Sequence, residues 1–437
     1  MNWQLSDALG IFFGFAANLA VSQVGYTVWR WQTASSVVPS IVLLTLIFVC
    51  PESPRFLMKQ GRYRGAYRTL VALRGEPVLA AKEMLYVHYQ MEVEMLHLRR
   101  KHPDTEANCP ARDHEGAGVE MHATQTHSPG SGTGINYWQK LGQLFTERRV
   151  RRAMVAAVVC MIGQQLCGVN VLAFYSSTFF CDAGRSEPVN SELGDASDPS
   201  FLRPLFLSWG IGLTNFIFAF PAYYLIDKKG RRWLLLVALP FLALTMLATS
   251  LSFLIPNGNS AHGPVIAFWT YVFMFFYSWS MGPGPFTMSA EVFPLETRVV
   301  GMSFAVFVNL FGAGLLTLFV PALTIHLGHA GLLGLFAGLN IVTFILVFFF
   351  VRETAGITLG GTPGSMTFMS LEELNYIFGV STVKHVKYQL TTVVPWVWSY
   401  YVVRDETCPD QPEKLYTWAS ASNEKSQPNQ EVRQGEL

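Results

Sequence analysis

The stretch GQQLCGVNVLAFY, residues 163–175, lies inside a run from Ala153 to Cys181 that contains no Asp, Glu, Lys or Arg. A helix of that length crosses the roughly 30 Å hydrocarbon core of a bilayer. Yet the run carries three primary amides, Gln164, Gln165 and Asn170, at a depth where an unpartnered polar group is costly. On a helix Gln164 and Gln165 point about 100° apart, and Asn170 follows by about one and a half turns, so no narrow face holds all three. A broad polar face collects two or more. Two readings follow. The amides bond neighbouring helices, or they line a water-filled cavity and hold a hydroxyl-rich solute, because a primary amide both donates and accepts.

The rest of the chain repeats the apolar pattern on both sides of this run. Of 437 residues, 51% are hydrophobic and 14% charged, against about 25% charged in soluble domains. An all-α integral membrane protein follows. Eight apolar stretches are near or above spanning length: 3–27, 33–50, 153–180, 204–226, 233–255, 264–290, 301–324 and 331–351. Only the first holds a charge, Asp7. An acid inside a span is by default a functional group, here a proton carrier or a solute contact, unless it sits at the interface.

Loop charge orients the spans. With both termini cytoplasmic, segments 51–152, 227–232, 291–300 and 352–437 hold 16, 4, 1 and 7 Lys and Arg, together 28 of 31. The opposite loops hold only Arg30, Arg185 and Arg203. The KKGRR cluster at 228–232 is short enough to decide the orientation by the positive-inside rule. Four regions result: two helices over 1–50, a cytoplasmic linker over 51–152, a six-helix bundle over 153–351 and a cytoplasmic tail over 352–437. Within the linker, 55–101 reads as amphipathic helices. The Pro-, Gly-, Ser- and His-rich part, 102–136, reads as disordered because it cannot bury a core. In the tail, LEELNYIFG at 371–379 suggests an amphipathic helix, and 419–437 reads as disordered. The run VVPWVWSYYVV at 393–403 is short for a span and reads as a surface-lying or docked segment.

Several classes are set aside. No basic cluster interleaved with aromatics points to nucleic acid. The six cysteines, at 50, 109, 160, 167, 181 and 408, show no metal or disulfide spacing. No nucleophile–base pair or phosphate-cradling glycine loop appears, so neither an enzyme nor a cofactor is expected. The start, MNWQLSDALG, lacks the basic region and cleavage site of a signal peptide.

Two further constellations carry mechanism. In GPGPFTMSAEVFPLETR, 282–298, the pairs Gly282–Pro283 and Gly284–Pro285 interrupt an apolar helix, since proline removes a donor and clashes with the preceding turn. Such breaks survive in membranes where neighbours or a cavity satisfy the freed carbonyls. A hinge is expected there. Charged residues punctuate the cytoplasmic helix ends: Glu52 and Arg55 in PESPR, Asp227, Arg231 and Arg232 in DKKGRR, then Glu291, Arg298 and Glu353. Pairing among them would hold that side closed and break on inward opening, as in a rocking bundle.

These stretches resemble the sugar porters of the major facilitator superfamily, most closely their fungal branch. PESPR is similar to the signature closing the family's sixth helix and GQQLCGVN to that of its seventh, with Cys167 where Ser or Thr is usual. DKKGRR resembles the D-x-x-GRR loop, and GPGPFTMSAEVFPLETR the tenth-helix motif. FVRETAGITL resembles the Pro-Glu-Thr signature after the twelfth helix, with Arg352 where proline is usual.

The resemblance implies a partial major facilitator fold of about eight spans in a 2 + 6 arrangement. The first two helices correspond to the family's fifth and sixth, and helices one to four are expected to be absent. It also implies a sugar or polyol as substrate, a proton as a further partner, the plasma membrane as its place, and amides Gln4, Gln164, Gln165, Asn170, Asn215 and Asn309 around the solute. Tyr175 would belong to an extracellular gate, with Phe174 where a second tyrosine is usual. Met288 replaces a usual tryptophan and Ser280 a usual acid, so the lining is not that of a glucose specialist. The inserted GGTPGSMTFMS splits a usually continuous tail signature. Alternating access by two rocking six-helix bundles is expected to be impaired in a chain with two helices on one side. A non-transporting sugar sensor and an inactive fragment are the alternatives.

Overall fold

The structure, a computed structural model, describes residues 2–22, 27–101, 137–184, 199–256, 259, 261–294, 297–354 and 377–403. The expected linker part 102–136, most of LEELNYIFG and the 419–437 tail lie outside them. Among the described residues the regular elements are helices: α1 Asn2–Val21, α2 Val28–Ser35, α3 Val37–Val49, α4 Pro54–Lys59, α5 Tyr63–Arg74, α6 Pro77–Lys101 and α7 Tyr137–Thr146. The bundle follows as α8 Arg148–Leu166, α9 Val169–Phe174, α10 Ser176–Gly184, α11 Pro199–Ala219, α12 Pro221–Lys229, α13 Arg231–Ser252, α14 His262–Trp279, α15 Gly284–Val292 and α16 Arg298–Phe350. A last helix, α17 Thr382–Tyr388, continues through π-type and α-type turns to Val403.

Seven helical runs among the described residues are long and apolar enough to span a bilayer. The last of them, Arg298–Phe350, has 53 residues, about twice what one crossing needs. It is broken at Gly328, whose φ of 68° and ψ of 172° are not helical. The stretches expected at 301–324 and 331–351 are the helices on either side of that break, so the eight apolar stretches lie in seven helical runs.

The chain forms two compact units, residues 36–137 and residues 1–35 with 138–437. In the smaller unit α4, α5 and α6 pack through Met58, Ala66, Leu70 and Ala80. Arg74 holds Glu83 by two parallel contacts of 2.6 and 2.7 Å. That partner keeps the Glu83 carboxyl below its ordinary range.

In the larger unit α16 packs along both α13 and α8, and α14 packs on α13 and α11. Met161, Leu235, Leu239, Phe273, Phe293 and Phe336 are among the fully buried side chains at its centre. Helix α1 lies along α11, with the Phe12 ring 5.7 Å from Trp209 and 6.1 Å from Phe216.

Helix α8 ends where the amides begin to matter. Gly168 adopts φ +86°, a left-handed conformation that a side chain resists. A Cβ there would also stand 2.7 Å from Met246 and 3.1 Å from the Phe336 ring. Glycine is required twice over, once by the turn and once by the packing.

Candidate functional site

The helix break at 280–283 creates the first need. Pro285 has no N–H, so the carbonyl of Met281, four residues back, has no helical donor. Gln164 supplies one from α8. Its Nε2 donates to Met281 O at 2.9 Å, Gly282 O at 3.2 Å and the Tyr277 hydroxyl at 3.2 Å. Its Oε1 accepts from Asn309 Nδ2 at 2.8 Å, and Asn309 also donates to Met161 O at 3.0 Å. Gln164, Asn309 and the glycine–proline hinge are therefore one hydrogen-bonded cluster. Gln4 joins it from α1, with Nε2 3.0 Å from the point where a side chain on Gly282 would begin. Asp7, one turn further on the same helix, is exposed.

The other predicted amides stand in two separate pairs. Asn170 Nδ2 donates to Gln165 Oε1 at 2.6 Å, a contact that the five-residue spacing permits because the Gly168 turn bends the chain between them. The Gln165 stem passes 3.2 Å from where a Cβ on Gly312 of α16 would lie. Asn215 of α11 accepts from Ser278 Oγ at 2.8 Å through its Oδ1. Tyr175, between α9 and α10, donates to Thr317 O at 2.8 Å and ties that segment to α16. Met288, the departure within the tenth-helix motif, and Ser280, the one just before it, are fully buried.

The arginine-rich end is organised by charge. Gly230 has φ +97°, and a Cβ there would lie 2.7 Å from a Glu353 carboxylate oxygen. The missing side chain is what admits Glu353 to the N-terminus of α13. Its two oxygens accept from the backbone N–H groups of Arg231, Arg232, Trp233 and Thr354 at 3.0–3.2 Å. Those are orphan donors at the positive end of the helix dipole. Arg231 pairs with Glu291 at 2.9 Å and donates to Ile226 O at 3.2 Å. Thr354 Oγ1 donates to the other Glu291 oxygen at 3.1 Å. Arg232 donates to Phe348 O at 2.8 Å and Arg298 to Phe293 O at 3.3 Å. Glu52 and Arg55 belong to the smaller unit, at the start of α4. The Asp227 side chain lies outside the described residues.

Asn340, Tyr277, Arg152 and His385 carry no expectation from the sequence, and Arg352 carries one only as a departure from the usual proline. Asn340 of α16 is fully buried and donates to Cys167 O at 3.1 Å and Phe336 O at 2.8 Å. It mends the α8 break as Gln164 mends the other. An amide within the 331–351 run was the available signal, of the same kind that marked Gln164. Tyr277 had none, being one tyrosine among several aromatics of α14. Arg152 donates to the carbonyls of Phe378 and Gly379, and Arg352 to those of Ile377 and Val380. This two-arginine clamp joins residues far apart in sequence. Beside it His385 is buried, and burial, then Arg352, then Arg232, hold its imidazole down to about 3. The residue is neutral there.

A family model described as "Sugar (and other) transporter" matches residues 1–363. Polyol transporter 5 of Arabidopsis thaliana is 28% identical over 352 residues, 79% of this chain and 58% of its own length. The arabinose-proton symporter of Bacillus subtilis (strain 168) is 26% identical over 359 residues, 80% of this chain and 64% of its own. The chain thus spans 58–64% of these two relatives. Among solved structures, the proton:xylose symporter XylE bound to 6-bromo-6-deoxy-D-glucose superposes with a TM-score of 0.56 at 19% identity, covering 86% of this chain and 66% of that one. The likeness shows a major facilitator fold.

Proposed function

Because this chain belongs to the sugar (and other) transporter family, we propose that it binds a sugar or polyol and takes part in moving it across a membrane by alternating access. One observation carries the reading most directly. The Gln164 amide, suited to hydroxyl groups, is the same group that holds the carbonyls freed at the Gly282–Pro285 hinge. A solute that takes over those hydrogen bonds releases the hinge, so binding and movement share one side chain. Gln4 and Asn309 flank the same point. Gln165 with Asn170, and Asn215, are the further proposed solute contacts, and Tyr175 the proposed outer gate. Asp7 is the proposed proton or solute contact on α1; both symporters named above couple their solute to a proton.

The arginine-rich end is read as cytoplasmic and as the inner gate, with Glu353, Arg231, Arg232, Glu291 and Arg298 holding helix ends together there. The excess of Lys and Arg in the loops on that side supports the orientation. The plasma membrane and the fungal branch are part of the same reading.

Uptake of a panel of hexoses, pentoses and polyols by a hexose-transport-null yeast tests it. Impaired but measurable uptake of at least one of them is expected, and Gln164→Ala is expected to abolish it at an unchanged membrane level. Uptake indifferent to Gln164→Ala overturns the assigned site. Saturable solute binding without uptake favours a sensor instead.

A further inference from the structure

The tail beyond the clamp has an apolar face that the bundle does not use. Arg152 stands in the first turn of α8 and Arg352 just past the last residue of α16, so the carbonyls they hold at 377–380 are fixed at the level where spans end. Phe378 is fully buried there, 5.4 Å under the Arg352 guanidinium. Ser381 then caps α17 by accepting from Lys384 N at 3.3 Å. The helix turns His385 and Gln389 inward, and these are its last buried residues among those described. The opposite side exposes Val383, Leu390, Val394, Val397, Trp398 and Val403. Trp396 and Tyr400 stack at 5.1 Å, and Lys384 and Lys387 stand exposed at the clamped end.

We propose that residues 382–403 lie on the bilayer surface as an interfacial helix, with the lipid headgroup region covering the exposed apolar face. Three features choose lipid over a protein partner. The clamp fixes the start of the helix at the span ends, the level of the headgroups. Trp and Tyr, with an apolar body and a polar tip, concentrate at the headgroup level. The two lysines match the anionic surface of a cytoplasmic leaflet. The run is too charged at its start and too short beyond Lys387 to cross. This inference rests on the bundle being embedded in a membrane with the arginine-rich end cytoplasmic, as proposed above, and not on transport.

The test uses the full chain reconstituted in phosphatidylcholine vesicles, with or without phosphatidylglycerol, and an environment-sensitive fluorescent amino acid placed at 397 by codon suppression. Position 397 is exposed, so the fold tolerates the probe. Lipid carrying a spin label near the headgroup is expected to quench that emission at least about twofold, independently of protein density. Leu390→Glu with Val394→Glu, both exposed positions, is expected to remove the quenching while the protein elutes unchanged. Emission at 397 that matches water and ignores the spin label overturns the proposal. Shielding that disappears as the protein is diluted in lipid also overturns it, because a second copy then covers the face.

Discussion

Backbone carbonyls are gathered by side chains from other helices in two places, and the donors differ in kind. At the middle of the bundle they are neutral amides: Gln164 on Met281 and Gly282, and Asn340 on Cys167. At the arginine-rich end they are guanidinium groups: Arg232 on Phe348, Arg298 on Phe293, and Arg152 with Arg352 on the tail. The difference follows depth. A charge in the hydrocarbon region costs several kcal/mol, while near the headgroups it is partly hydrated and its hydrogen bonds are the stronger ones. Neutral amide–carbonyl bonds are individually worth about 1 kcal/mol net and exchange readily for bonds to hydroxyls. On the proposed reading Gln164 is the donor that lets go, while the arginine-rich end holds.

The largest expected effect tests the holding side. Arg352→Ala removes two charge-assisted bonds to the tail, about 3 kcal/mol of local docking. Amide hydrogen exchange across 377–403 should quicken by roughly two orders of magnitude, while α13 and α14 stay protected. Equal exchange in both proteins would show that Arg152 and Phe378 dock the tail alone.

The exchangeable side predicts a different signature. Gln164→Ala should lower solute affinity about a hundredfold, because one change removes donor and acceptor from the proposed site. Asn340→Leu, which leaves Cys167 O without its side-chain donor, should destabilise the protein by about 2 kcal/mol while leaving solute affinity within about threefold. Thermal unfolding and equilibrium binding, measured on both variants, separate the two amides. If Asn340→Leu loses binding and Gln164→Ala does not, the assignment of ligand amide and structural amide is reversed.

Acidification probes the same contrast without a mutation. His385 titrates near 3 when docked and near 6.5 when released, so the released tail binds the proton more readily. Docking is therefore fully favourable above about 6.5 and weakens as pH falls below it, levelling off near 3. At pH 5 the loss is about 2 kcal/mol, and tail exchange, corrected for intrinsic rates, should rise about thirtyfold. His385→Gln should flatten that dependence. Arg352 and Arg232, the charges facing His385, keep their charge throughout.

How much of this was legible in the sequence depends on whether the cause was local. The spans were readable because each is a continuous apolar run, and the hinge because Pro283 and Pro285 act on their own backbone; the break at Gly168 was not, since 153–180 reads as one uninterrupted helix. The two helices at 301–324 and 331–351 were readable as well, and the non-helical backbone at Gly328 divides them. Gln164 stood out as an amide in an apolar run. That it meets Met281, Gly282 and Asn309 depends on tertiary packing across more than a hundred residues. The clamp is the extreme case. Arg352 announced itself only as an arginine where the resembling family has proline, and nothing near it in sequence names the carbonyls of 377 and 380 as its partners.

The smallest effect concerns Glu353, which joins the two kinds of holding in one residue. Its carboxylate caps the α13 N-terminus through three consecutive backbone N–H groups, while Arg231 beside it pairs with Glu291. Glu353→Gln keeps an acceptor of the same shape and removes the charge that the helix dipole favours. About 1 kcal/mol of stability should be lost, and less in high salt. Glu353→Ala should cost more, since the orphan N–H groups then lose their acceptor altogether. Equal losses for the two variants would mean that geometry, not charge, closes this end. Gly230→Ala adds the steric half of the argument: with a Cβ in the carboxylate's place, Glu353→Ala should cost no further stability.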